Sequence, residues 1–182
     1  MILAFDTATS FGAVCATSDG RRARAARAGD LLAAVDELVD DPREIEAIVA
    51  GRGPGSFTSI RIGLAVARSL ALTLDVAVAG ASTLDAYATA MPVIDARRGE
   101  VFATGPVVCA PAELDVAGKT LVGDGAIRYR SLFEAAGATI LPDDAAAHVP
   151  DPLLLFEAAG AFGAAELVEP LYVREPDARP QS

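Results

Sequence analysis

Lysine is nearly missing from this sequence. Lys119 is the only one, acids outnumber Lys and Arg by 25 to 15, and the net charge is −10. Polyanions are gripped by neutralising their phosphates with basic side chains. A chain with this balance is badly placed to hold RNA alone, and would need a local arginine patch or a basic partner. Cysteine is scarce as well. Cys15 and Cys109 stand in apolar, strand-like stretches, too few for a stapled secreted framework, and read as buried free thiols. The single histidine, His148, follows three alanines with no ligand spacing of the kind that assembles a zinc or iron site. It is expected in a loop or at the surface. No apolar run approaches the roughly 18–20 residues that span a bilayer. Residues 1–6 lack the basic flank and small-residue cleavage site of a signal peptide. These features suggest a cytoplasmic protein with no membrane contact.

Against these shortages stand 182 residues, 52% of them hydrophobic, enough for one compact unit or two small lobes with a real core. Residues 2–5 read as a buried strand, residues 13–17 as a second and residues 21–28 as a third, joined by turn formers into a meander. Asp30 is a candidate N-cap for a helix over 31–39, with Asp40-Asp41-Pro42 ending it. Residues 47–50 are another buried strand. The best helix follows, with Phe57, Ile60, Leu64, Ala67, Ala71 and Leu74 on one stripe and Ile62, Val66 and Leu70 on the next. That face is wider than a lone surface helix needs and predicts cover on two sides. With a strand at 76–79 this makes a βαβ unit, its strands parallel. A helix is expected over 82–90, a hairpin at 93–95 and 100–103, a strand at 120–122, helices over 131–136 and 153–165, and a frayed tail from 174. Met91-Pro92 marks the boundary between a first lobe, 1–91, and a smaller second lobe, 92–182. Each half opens with strand, acid, turn and strand.

Three segments could carry chemistry. Phe5-Asp6-Thr7-Ala8-Thr9 places a carboxylate at a strand end, suited either to a hydrated cation beside phosphate or to satisfying its own turn amides. Gly51-Arg52-Gly53-Pro54-Gly55-Ser56-Phe57-Thr58 precedes a helix N-terminus. It could cradle an anion or form a rigid turn with Ser56 or Thr58 as cap. It lacks the Gly-Lys-Ser/Thr of a P-loop. Asp95-Ala96-Arg97-Arg98-Gly99-Glu100 puts two arginines at a hairpin tip, for bidentate contacts or for solvation. No Ser, His, Asp set is formed, and Cys15 has no basic neighbour to activate it.

The opening Ile2-Leu3-Ala4-Phe5-Asp6-Thr7-Ala8-Thr9 resembles that of the TsaB (YeaZ) family. Residues 51–64, Gly51-Arg52-Gly53-Pro54-Gly55-Ser56-Phe57-Thr58-Ser59-Ile60-Arg61-Ile62-Gly63-Leu64, resemble its most diagnostic motif. Gly80-Ala81-Ser82-Thr83-Leu84, residues 94–102 and Glu169-Pro170-Leu171-Tyr172-Val173-Arg174 follow in the family's order. The chain departs from it at Arg27-Ala28-Gly29-Asp30, where a His is usual, in a shortened stretch over 39–46, at Ser59 in place of Gly, and in its small second lobe. The resemblance implies an α/β fold of two ribonuclease-H-like lobes of the actin/Hsp70 (ASKHA) type, mixed sheets flanked by helices. It implies an accessory subunit, not a catalyst, in threonylcarbamoyl transfer to the tRNA adenosine beside the anticodon. The expected partners are a TsaD homologue and the TsaE ATPase, with a homodimer in isolation and tRNA met only through the complex. This chain needs no cofactor; ATP or ADP and metal belong mainly to TsaD. Asp6, Thr7, Gly53, Gly55 and Ser56 are the candidate phosphate-side residues. Leu32, Val35, Ile60, Gly63, Leu64, Ala67 and Ala71 are the candidate partner face, with Gly63, Ala67 and Ala71 letting a partner helix approach. Arg52, Arg61, Arg97 and Arg98 are candidate polar contacts. The alternatives are a nucleotide-binding phosphotransferase or ATPase and, more remotely, a glycoprotease-like peptidase.

Overall fold

The computed structural model describes residues 1–88 and 90–174; the rest of the tail expected to fray lies outside the described residues. The first half runs β1 (Ile2–Asp6), β2 (Ala13–Thr17), β3 (Arg22–Ala25), α1 (Leu31–Asp36), β4 (Ala47–Gly51), α2 (Phe57–Leu74) and β5 (Ala77–Ala81). The second runs β6 (Met91–Arg97), β7 (Glu100–Ala103), β8 (Val107–Cys109), β9 (Thr120–Val122), α3 (Asp124–Arg128), α4 (Arg130–Ala135), β10 (Thr139–Ile140) and α5 (Leu154–Glu157). Two five-stranded sheets result, ordered β3-β2-β1-β4-β5 and β10-β9-β6-β7-β8. Read from its other edge, the second sheet repeats the first with each strand five places later. The echo between the halves is thus one of topology. In both, an antiparallel meander is extended by parallel strands across a helical crossover.

Period-two alternation divides the first sheet between two cores. Leu3, Phe5, Ile48 and Ala50 face α1 and α2, packing with Leu31, Ile60 and Leu64. Ala4 and Val49 face the other way, onto Leu155 of α5. α2 begins at Ser56, whose hydroxyl accepts the Ser59 amide, and ends at Asp75 in a left-handed conformation. Of its first stripe, Ile60, Leu64, Ala67 and Ala71 are buried, Phe57 is exposed and Leu74 half-buried; its second, Ile62, Val66 and Leu70, is half-buried. The cover expected on two sides is present on one. At 18 residues and mean hydropathy 1.3, α2 is the one described helix long and apolar enough to cross a membrane. Arg61 and Arg68 interrupt it, so it holds no unbroken apolar run of that length. Its buried stripe is already committed to β4 and the core of the first sheet.

Several elements differ from expectation. α1 stops at Asp36, and Asp30 caps nothing, because its carboxylate pairs with Arg27 at 3.0 Å. Residues 82–90 form only a 3₁₀ turn at Thr83–Ala86. The helix expected over 153–165 shrinks to α5, because the chain beyond it hydrogen-bonds along the exposed edge of β5, through Val78 to Gly163 and Gly80 to Gly160. α3, β8 and β10 were not expected. His148, expected in a loop or at the surface, lies in a short connecting turn but is fully buried. Its Nδ1 accepts the Gly123 amide at 3.1 Å and its Nε2 lies 3.2 Å from the Leu141 carbonyl. It thus fastens two connecting segments to the second sheet. Replacing it with Ala should orphan the Gly123 amide and leave a cavity, lowering stability by about 2–4 kcal/mol in urea unfolding. A loss below about half a kcal/mol would show that the two bonds are dispensable.

Candidate functional site

The turn after β1 and the glycine-rich segment after β4 meet face to face, because those two strands are parallel neighbours. Asp6 lies at the end of β1 and is 1% exposed. Its Oδ1 accepts the Ala8 amide at 2.7 Å and its Oδ2 accepts the Thr83 hydroxyl at 2.5 Å. Burial pushes its carboxyl above the ordinary range, against the pull of the Thr83 and Ala8 hydrogen bonds. A Cβ at Gly51 would fall inside this carboxylate. Thr7 is equally buried and donates its hydroxyl to the Ser59 carbonyl at 2.7 Å, on the first turn of α2. A Cβ at Gly63 would stand 2.5 Å from the same hydroxyl oxygen. The Ala8 carbonyl accepts the Ser56 amide at 2.7 Å, and a Cβ at Gly55 would collide with it.

The site residues read from the two motifs are therefore brought together, but against one another. On one side Gly55 and Ser56 are pressed against Ala8, and on the other they line the cleft between the halves. Both Asp6 oxygens are engaged within the chain. Ser56 is the helix cap, and the Gly53 carbonyl accepts the Thr83 amide at 2.8 Å. Among the described residues no group of three or more His, Cys, Asp or Glu converges. Cys15 is buried and its thiol is pushed up to about 11, mainly by that burial.

The candidate partner face needs correction. Val35, Ile60, Gly63, Leu64, Ala67 and Ala71 are all buried inside the chain. They face the sheet because a helix shows its most apolar stripe to its own core first. Gly63 admits Thr7, not a second helix. Of the set, only Leu32 is exposed, at 53%. It lies with Ala33, Val39, Pro42 and Leu70 along a groove of about 380 Å³ between α1 and α2.

The arginines are dispersed. Arg61 lies over the Phe57 ring at 3.7 Å and donates to the Tyr172 hydroxyl at 2.9 Å, while Phe57 and Tyr172 stack at 5.0 Å. This cluster walls a cleft of about 460 Å³ between the halves, closed opposite by Asp95, Arg97 and Phe102. Arg97 pairs with Asp95 at 3.1 Å, and Arg128 approaches the same oxygen at 3.4 Å. Arg98 and Gly99 form the two-residue hairpin connection, both at positive φ, as such turns require. Arg52 lies apart, across Gly80 of β5.

Reading the sequence missed Asp124. Its Oδ1 accepts the Asp95 amide and its Oδ2 the Ser10 amide, at 3.0 and 2.9 Å, so one carboxylate ties the first half to the second. The flanking glycines were the available signal. A Cβ at Gly125 would stand 2.8 Å from the Ile94 backbone, a close approach of the kind that Gly51 makes to β1.

Comparisons with known proteins agree with this architecture. The family described as "TsaD: tRNA N6-adenosine threonylcarbamoyltransferase" matches residues 22–133. An uncharacterized protein of Mycobacterium tuberculosis is 33% identical over 165 residues, 83% of this chain and 74% of its own length. The tRNA threonylcarbamoyladenosine biosynthesis protein TsaB of Escherichia coli is 35% identical over 124 residues, 56% of this chain and 52% of its own. A crystal structure of an uncharacterized Pseudomonas aeruginosa protein, described as similar to peptidase YeaZ, superposes with a TM-score of 0.73 at 26% identity, over 95% of this chain and 99% of that one. The fold is accordingly the two-lobed actin-like (ASKHA) type.

The state of Asp6 makes a signed prediction. Its folded carboxyl holds a proton to higher pH than the unfolded chain does. Its contribution to stability is therefore present in full below the unfolded value, about pH 4, and is lost as pH rises through the folded value. Asp6→Asn should flatten the fall in stability from about pH 4 upward, read as urea midpoints across pH for both proteins. Parallel curves would show that Asp6 is ionised throughout.

Proposed function

The chain belongs to the TsaB (YeaZ) family, and from that premise we propose that it serves tRNA threonylcarbamoyladenosine biosynthesis as an accessory subunit without chemistry of its own. The observation that carries the accessory role is the sealed acid. Asp6, the residue that could have held a hydrated cation, is buried with both oxygens engaged, by the Ala8 amide and the Thr83 hydroxyl, and the turn of Gly55 and Ser56 is backed by Ala8. A buried, fully bonded carboxylate favours a structural role over cation binding. In this reading ATP or ADP and metal are handled by a TsaD homologue, the TsaE ATPase joins the assembly, and tRNA is met through the complex. The net charge of −10 supports that division, since an acidic chain repels a polyanion.

The partner face in this proposal is the groove between α1 and α2, not the buried stripe. Leu32 and Ala33 contribute from α1, and the half-buried Leu70 from α2. Covering such a surface stabilises association by about 25 cal/mol per Å² before the entropy of docking is subtracted. In isolation the same face would support a homodimer.

Mixing the chain with the TsaD homologue of the same genome and following size-exclusion with light scattering tests both points. A mixed complex is expected. Leu32→Asp should weaken it by about tenfold or more while leaving the melting curve unchanged. Leu64→Asp, by contrast, should unfold the chain, because it places a charge in the core at a cost above about 4 kcal/mol. If no complex forms with a folded partner, or if Leu32→Asp binds as tightly as the original, the accessory role or this face is wrong, respectively.

A further inference from the structure

The outer side of β5 carries a hollow of about 370 Å³, formed where the chain after α5 returns along the strand. Val78, Gly80, Phe162, Leu167 and Val168 line it together with Arg52. Phe162 and Leu167 are 45% and 77% exposed, large apolar side chains held in water on one rim. The Arg52 stem crosses Gly80, whose missing side chain leaves room for it. Nearby, Arg68 is already used, donating to the Val168 carbonyl at 3.0 Å. Among the described residues no hydrogen bond or ion pair engages the Arg52 guanidinium; Arg52 contributes only its backbone, to Ala81 and Leu171. Arg52, half-buried between apolar walls in a chain with ten more acids than bases, is a charge whose head group has no partner among the described residues.

We propose that this groove binds an acidic peptide of a partner protein, with Arg52 pairing with a carboxylate and Phe162 and Leu167 receiving the adjacent apolar side chain. The planar fork of Arg suits a carboxylate bidentately. A nucleic acid is a poor fit, because phosphate recognition relies on several cations and the groove offers one beside apolar walls. The site lies beyond the partner face between α1 and α2 and does not depend on it.

The test uses the full chain and a phage-displayed library of random heptapeptides. Selection should enrich Asp or Glu next to Leu, Ile or Phe. Resynthesised peptides, read by fluorescence polarisation, should lose about tenfold or more in affinity on Arg52→Gln and should shift the amide resonances of Gly80, Gly160 and Gly163. Arg52→Lys, which keeps the charge but not the fork, should lose less, and covers the case in which Arg52→Gln fails to fold. The proposal is overturned by a selection that enriches no acids, by equal binding to Arg52→Gln and the original, or by inorganic phosphate competing as well as the peptides do. A concentration-dependent dimer abolished by Arg52→Gln would also overturn it, since a second copy would then be the occupant.

Discussion

A single added carbon at Gly63 would stand 2.5 Å from the Thr7 hydroxyl oxygen, and added carbons at Gly51 and Gly55 would collide with Asp6 and Ala8. These three contacts press the turn after β1 onto the segment that enters α2. From that contact follow the cap at Ser56, the bond from Thr7 to the Ser59 carbonyl and the bond from Thr83 to Asp6. The last reaches the 3₁₀ turn that leads out of the first sheet toward β6. Interiors packed at crystal density transmit such a contact because they have no slack. The placement of α2 on its sheet, and of the second half behind it, depends on a turn pressed tightly against the helix entry.

The same contact bears on function. The acid at its centre is buried and bonded at both oxygens, and the turn is packed against the entry to α2. The repeated strand order of the halves survives as a scaffold, bridged by Asp124 and walled by the cluster of Phe57, Arg61 and Tyr172. What faces solvent instead is helix and sheet-edge surface, which suits a protein acting through what it touches.

Long elements with a strong period were legible in the sequence: β1, β2, the βαβ unit through α2, and the hairpin of β6 and β7. Among the short ones β9, of three residues, was legible, but β8 and β10, of three and two residues, were not, being shorter than a period needs to show itself. The alanine-rich stretch after α5 reads as helix on propensity, but Gly160 and Gly163 hydrogen-bond to the β5 edge, and that tertiary demand prevailed. His148 shows why composition misleads at single residues: a loop residue can be pulled fully inside by two backbone bonds. For the partner face, periodicity located the apolar stripe of α2 correctly, but it cannot say whether a stripe meets the chain's own sheet or another protein. The motif glycines were legible as a set; their purpose was not, because the atoms that Gly51, Gly55 and Gly63 make room for lie at the end of β1 and in the turn after it, more than forty residues earlier in sequence.

The contact between Thr7 and Gly63 can be tested directly by a double-mutant cycle in urea. Gly63→Ala should destabilise the original chain despite the gain of about 1 kcal/mol in helix propensity. In a Thr7→Ala background, where the clashing hydroxyl is gone, the same substitution should become neutral or stabilising. A coupling above about 1 kcal/mol is the result expected if the turn is locked against the helix. Effects that simply add would show that Gly63 answers to something other than Thr7, and that the lock is not what holds the first half together.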